Sequence, residues 1–458
     1  MQPPEPHSHS LKRDLGIWSA AAIVVGTTIG SGIFLVPHEM IRNVGHPSTL
    51  FLVWIFGGIL TLFGALSYAE LSAAMPEAGG EYVYLREAYG PFWGFVYGWT
   101  QMWVAKSGSI ATLAAGLIRA VSYFVPQLNT VCFTIGIPIT YGQLVAIAVI
   151  AILGYINYSG VKVGGEVQVA TTVAKVGLIA AIIVVGCLPG HGDVGNYGSV
   201  FSGASGGIAG FFAALVAALW AYDGWNNVSM VSGEVKNPQR NLPLALIAGT
   251  CGIIAIYLLA NVGYFHILSA DTIAAKENVA AEMMHNVLGD WGARVATITI
   301  MISIFAALNG SILSGARVPF AMARDGLFFR RIGDIHPKYR TPHVSIVALC
   351  VWGAVLVLLS GKYSELFTYV IFASVILYGM ATASVIVLRY KRPDLHRPYR
   401  TIGYPFVPIL FVAGIVCLVI STLMKSPKES LIGLGIVALG VPFYLFWSKA
   451  KTQPTSLK

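Results

Sequence analysis

The chain is poor in charge. Only 11% of its 458 residues are Asp, Glu, Lys or Arg, while 56% are hydrophobic. That is more apolar surface than one water-soluble core can hide, which excludes a soluble globular protein and makes the bilayer its solvent. Acidic residues number only 20, and Asp223 is the one carboxylate deep inside an apolar stretch. A membrane-embedded enzyme would need a mid-membrane nucleophile and base, or clustered metal ligands, and the sequence offers neither. Nor does a ring or stripe of charge line the apolar stretches as a channel would require. The five cysteines lie singly, mostly within apolar runs, and give neither a disulfide framework nor zinc spacing. No metal and no cofactor are expected. The head "MQPPEPHSHS" lacks the basic and then apolar regions of a cleaved signal, and reads as a short disordered tail.

Long apolar runs stand in place of charge. Stretches at about 17–43, 49–75, 91–118, 142–159, 167–187, 205–231, 242–268, 292–316, 343–360, 365–388, 404–424 and 430–447 mostly meet the requirement of about 20 residues for a spanning helix. They predict an all-α integral membrane protein of about twelve transmembrane helices, the boundary within 343–388 being hardest to place. Residues 1–13 are then a cytoplasmic N-terminal tail, 14–390 a ten-helix transporter core, 391–448 two further helices and 449–458 a cytoplasmic C-terminal tail. With the N-terminus inside, the cytoplasmic connections hold twenty of the 29 Lys and Arg and the external ones seven, the bias that orients membrane proteins. Both termini are expected on the cytoplasmic side of the cell membrane. The net charge of +9 follows from that topology, with no need of a nucleic acid partner.

One run does not read as an ordinary span. "VVGTTIGSGIF", residues 24–34, sets three glycines, two threonines and a serine at mid-membrane depth. A nucleotide loop would need a strand before it and a helix after it, and the run completes neither fingerprint. Gly26 and Gly30 form a small-xxx-small face suited to close helix packing. The third reading is a broken helix, in which Ile29 to Ile33 leave the hydrogen-bond ladder and turn backbone groups toward a cavity. A counterpart exists in the sixth apolar segment, where "LWAYDGWNN", residues 219–227, again puts glycine and polar residues at mid-depth. Interrupted segments at corresponding positions of two halves point to a five-plus-five inverted repeat with its site at the midplane. No residue-level repeat accompanies it.

These two runs, together with "YAELSAAMPEAGGEYVYLREAYG", "VQVATTVAK", "NGSILSGARVPFAMARDG" and "LRYKRPDLHRPYR" in fixed order, resemble the L-type amino acid transporter family of the amino acid, polyamine and organocation superfamily. The likeness runs in register from about residue 14 to about residue 447. It implies a LeuT-type fold with helices 1 and 6 broken, and sodium-independent exchange of amino acids by alternating access. A proton-coupled amino acid or polyamine symporter is the alternative. Animal members attach to a glycoprotein heavy chain through a cysteine between spans three and four. Cys132 lies in that neighbourhood, but its surroundings, "LNTVCFTIG", differ from the pattern, so no heavy chain is expected.

An α-amino acid is a zwitterion, and a dry site must give its carboxylate donors and its ammonium acceptors. Ser31, Gly32 and Ile33, opening the second half-helix, are the expected donors. The carbonyls of Ile29, Trp220, Ala221 and Asp223 are the expected acceptors. By resemblance Trp220 lies over the substrate as a gate and Asn226 lines the pocket, with Ser109, Leu113 and Tyr378 as further side-chain contacts. Lys175 falls where sodium-coupled relatives bind a cation. Its ammonium is expected to replace that ion, bridging the first helix to a hydroxyl of the eighth span, Ser311 or Ser314. Lys106 reads as more structural than functional. Asp223 either caps the second half of the sixth helix or pairs with a cationic side chain; the cap is preferred, which puts neutral substrates ahead and leaves cationic ones open. Glu70, Glu77, Glu81, Arg86 and Glu234, with Arg317 and Arg324, are either an inner gate network or solvated loop charge.

Overall fold

Proline and glycine punctuate the helices. Pro47, Pro91 and Pro238 each sit in the first turn of a helix, where a missing N–H leaves no bond unmade. Gly45 closes another at φ 77°, a left-handed conformation that a Cβ would strain. The computed structural model describes residues 10–425 and 427–452. Residues 1–9, which make up nearly all of the expected disordered head, lie outside the described residues, as does the end of the C-terminal tail.

Among the described residues, nine stretches are long and apolar enough to cross a membrane. Three more helices, Gly207–Tyr222, His343–Leu358 and Ser360–Lys391, complete the twelve expected spans. The hard boundary within 343–388 is a single residue, Leu359. The spans in order are Ile17–Thr28 with Gly32–Val44, Pro47–Ala74, Pro91–Thr100 with Lys106–Val121, Tyr141–Tyr158, Val161–Gly186, Gly207–Tyr222 with Asn227–Met230, Pro238–Ile267, Val279–Gly315, and then His343–Leu358 and Ser360–Lys391. Phe406–Lys425 and the pair Pro427–Ala438 and Gly440–Thr452 follow. Among the described residues, two strands form a small antiparallel hairpin, Val131–Ile135 with Ile137–Thr140, between spans three and four. Thr140 and Gln143 then form a capping box that starts the fourth span.

The spans sort into two packed groups. The first, second, sixth and seventh pack on one another, and the third packs with the eighth and ninth, the fourth with the ninth. The fifth runs between the groups and touches the first, seventh and eighth. Each of spans one to four thus shares a group with the span five places later, which is the arrangement a five-plus-five repeat requires.

Candidate substrate site at two broken helices

The first span is helical through Thr28 and resumes at Gly32. Between them the Gly30 N–H turns back to the Thr28 carbonyl at 2.8 Å, and the N–H groups of Ser31, Gly32 and Ile33 make no backbone hydrogen bond. They lie at the positive end of the helix Gly32–Val44. The break is narrower than expected, since Gly32 and Ile33 are already helical. The sixth span stops at Tyr222, passes through Asp223 in an extended conformation (φ −63°, ψ 145°), turns at Gly224 (φ 109°) and becomes helical again at Asn227.

The two breaks touch. A Cβ on Gly224 would stand 3.0 Å from the Thr27 carbonyl, so only glycine lets the strands of backbone meet there. The Thr27 hydroxyl lies 2.7 Å from both the Gly224 and the Ile23 carbonyl oxygens. From the seventh span, the Tyr257 hydroxyl reaches the Ala221 carbonyl at 2.8 Å and the Thr28 carbonyl at 3.2 Å. One side chain therefore fastens the carbonyl ends of both first half-helices.

The glycines of the opening run divide their labour. A Cβ on Gly26 would meet the Gln168 amide at 2.1 Å and the Thr172 hydroxyl at 2.4 Å, so this position serves close packing on the fifth span. Gly32 lies against Ala221, whose Cα would be 2.9 Å from an added Cβ. Gly30 has nothing within 4 Å and opens on the cavity.

That cavity, of about 80 Å³, is lined by Thr27, Thr28, Gly30, Ser31 and Gly32 of the first span and by Trp220, Ala221, Asp223, Gly224 and Asn227 of the sixth. Lys106, Ser109 and Leu113 of the third span and Ser311 of the eighth close it. Trp220, 45% exposed, also lines a wider vestibule of about 570 Å³ on the side away from the termini, beside His38, Glu39, Arg42 and Glu277. Trp220 thus borders both spaces.

The side nearer the termini is shut. Arg317 forks onto Glu234 at 2.7 and 3.0 Å, both side chains with no solvent exposure. The Leu15 N–H donates to the Glu234 carbonyl, and the Lys236 N–H to that of Leu15. Glu81, on the connecting helix Glu81–Tyr89, accepts from the Asn226 amide and from the Ser229 hydroxyl. Burial raises its carboxyl above the usual range. Arg86 pairs with Asp325 at 2.7 Å and Glu77 at 3.2 Å, whereas Glu70 belongs to a separate cluster with Arg389 and Arg397.

Several expected residues stand elsewhere than the sequence suggested. The Ile29 carbonyl is not open to a substrate: it accepts from the Lys175 ammonium at 2.5 Å and the Ser303 hydroxyl at 2.9 Å. Lys175, wholly buried, also donates to the Gly26 carbonyl at 2.7 Å. The eighth-span hydroxyl at this junction is Ser303, not Ser311, which lines the cavity, nor Ser314, which bonds its own helix at Gly310. Ile33 is buried away from the cavity. Asn226 turns to Glu81, and its neighbour Asn227 takes the cavity position. Tyr378 is not among the residues that line the cavity. Trp225 packs edge-on against Tyr68 with centroids 4.8 Å apart.

Asp223 does not cap the second half-helix, whose N-cap residue is Asn226. It is exposed and lines the cavity. Lys106 faces the same space. It follows a π turn at Gln101–Ala105, an irregularity that re-aims the residues after it, and it donates to the Asn227 side-chain oxygen. Lys106, read from the sequence as more structural than functional, thus lines the cavity as well as bonding Asn227.

The sequence model of the amino acid permease family matches residues 15–441. The serine/threonine exchanger SteT of Bacillus subtilis (strain 168) is 35% identical over 452 residues, 97% of this chain and 99% of that protein. The human b(0,+)-type amino acid transporter 1 is 30% identical over 475 residues, 100% of this chain and 94% of its own. The mouse large neutral amino acids transporter small subunit 2 is 32% identical over 446 residues, covering 96% and 82%. Matched along nearly its whole length, with both helix breaks where the motifs fall, the chain belongs to the amino acid permease family, on its L-type branch.

Proposed function

We propose that the chain exchanges small neutral L-amino acids across the cell membrane, without sodium, by alternating access. The observation that carries this reading is the cavity at the junction of the two breaks, with free N–H groups on one wall and carbonyl ends on the other. The substrate carboxylate docks on Ser31 and Gly32, where two N–H groups without a backbone hydrogen bond and a helix dipole replace its water. The ammonium turns to the carbonyls of Trp220 and Ala221 and to the Asp223 carboxylate. A cavity of about 80 Å³ leaves room for a short side chain beyond these common groups, bounded by Ser109, Leu113, Asn227 and Ser311.

Trp220 closes over the substrate from the vestibule, and the buried pairs at Glu234 and Glu81 open when the site turns to the other face. The vestibule side is external and the termini cytoplasmic, in keeping with the distribution of Lys and Arg. Lys175 takes the place of a bound cation, since its ammonium already satisfies the carbonyls of Gly26 and Ile29. The chain works without a heavy chain: Cys132 lies half-buried on a hairpin strand beside Tyr141. Non-reducing gels of the native membrane should show one unlinked polypeptide.

Transport itself is tested in proteoliposomes without sodium. Labelled alanine or serine should enter vesicles preloaded with unlabelled alanine and not empty ones. Equal uptake into both would rule out obligatory exchange, and uptake driven by an imposed proton gradient would favour a symporter.

A further inference from the structure

Asn157, Asn309 and Gln168 are buried amides of spans four, eight and five, and none of them lines the cavity. Their side chains hydrogen-bond in one direction. The Asn157 amide donates to the Asn309 side-chain oxygen at 2.9 Å, the Asn309 amide to the Gln168 oxygen at 2.8 Å, and the Gln168 amide to the Ala22 carbonyl of span one at 3.2 Å. The Thr172 hydroxyl of span five reaches the same carbonyl at 3.2 Å. Three glycines permit the approach: a Cβ on Gly26 would strike the Gln168 amide, one on Gly164 the Asn157 oxygen, and one on Gly310 the Thr27 methyl. Aligned amides polarise one another, and a member that loses its neighbour is left with a buried donor or acceptor unpaired, so the chain resists being broken at any one point. Its course joins the two packed groups. Spans four and eight belong to one group and span one to the other, with span five between them.

Ala22 lies on the inner half of span one, Ile17–Thr28, which runs from the terminus side up to the cavity that Thr27 and Thr28 line. This half must move for the site to open toward the termini. Resting on amino acid exchange by alternating access, we propose that Asn157, Asn309 and Gln168 are positioning residues: their amide chain holds the inner half of span one by the Ala22 carbonyl, and its release is a step in opening the site toward the termini. The seal on that side then has two parts, the charged pair of Arg317 and Glu234 at the connecting segments and a neutral clasp within the spans. Water that enters on opening takes the Gln168 and Thr172 donors that Ala22 gives up, so the open state leaves neither unpaired.

The test reads access from the terminus side. Ser229→Cys places a thiol on the half-helix Asn227–Met230, buried and packed on the inner half of span one, and a membrane-impermeant reagent applied from that side in proteoliposomes labels it. In this background Gln168→Met keeps an unbranched stem and removes both donor and acceptor. It should speed labelling about fivefold, the weight of one net hydrogen bond. It should also lower the half-saturating alanine concentration on the terminus side relative to the vestibule side, a ratio that a general loss of packing would not move. Thr172→Val removes the second donor to Ala22 with little change of shape; it should act in the same direction, and it carries the test if Gln168→Met does not fold. Asn309→Leu should speed labelling when Gln168 is present and add little in the Gln168→Met background, since it acts through that residue. Additive effects of the two would overturn the directed chain. Unchanged labelling and an unchanged ratio between the sides, in variants that still fold, would overturn the positioning role while leaving amino acid exchange intact. Failure of the unaltered protein to exchange alanine would overturn the transport reading instead, and the labelling rates would still decide whether the amides hold span one.

Discussion

At the scale of single residues, the glycines are not interchangeable, and the difference separates binding from folding. Gly32→Ala places its methyl within 2.9 Å of the Ala221 Cα, an overpacking change that should lower stability by about 1–3 kcal/mol. Loss of transport in that variant would say little about substrate contact. Gly30→Ala meets nothing within 4 Å and puts its methyl into the cavity. It should leave the melting temperature within a degree or so of the unaltered protein, yet weaken alanine binding by about tenfold, the effect of roughly one to two kcal/mol of steric conflict. A calorimetric or fluorescence melt beside a binding isotherm checks both halves, and unchanged binding would remove Gly30 from the site. A single methyl can thus distinguish a glycine kept for helix contact from one kept for a ligand.

At the scale of elements, the two breaks are held as a pair by Tyr257 and by Thr27, which ties the first to Gly224. Tyr257→Phe removes one hydroxyl that serves both half-helices. It should cost about 1 kcal/mol and speed hydrogen exchange at residues 28–31 and 220–224 together; a change confined to one break would contradict the shared clasp. The existence of the breaks was legible from the chain because glycine and hydroxyl residues at mid-depth conflict with the rule that lipid-facing backbone bonds internally. Side-chain direction across a break was not. Helical phase is lost through Asp223, Gly224 and Trp225, so nothing local distinguishes Asn226, bound to Glu81, from Asn227, facing the cavity. The same limit explains Ser303. Ser303, Ser311 and Ser314 of the eighth span are all buried, so burial does not mark which of them shares the Ile29 carbonyl with Lys175. The π turn before Lys106 has no compositional signature, because one extra residue per turn is imposed by neighbours and not by the sequence "QMWVA".

At the scale of the whole molecule, one face is open through the vestibule at Trp220 and the other is sealed by buried charge. Glu234→Gln leaves Arg317 without its counter-ion at zero exposure. A buried cation deprived of its partner costs about 3–5 kcal/mol, and this cost falls on the sealed state. The variant should therefore favour the opposite opening, seen as faster labelling of a cysteine introduced at Ser229 by a membrane-impermeant reagent applied from the terminus side. Unaltered labelling in a variant that still folds would show that this pair supports the fold and not the seal.

Lys175 has a thermodynamic consequence for the cell. An ion that arrives from solution and leaves to the other side carries the free energy of its gradient through the cycle. An ammonium fastened to the fifth span and bonded to the Gly26 and Ile29 carbonyls makes no such journey, so in the proposed exchange cycle it contributes affinity at each turnover and no net work. Such a carrier cannot enlarge the total amino acid pool. It can only swap members of that pool one for one, letting an abundant internal amino acid pull a scarce external one inward until the two ratios across the membrane are equal.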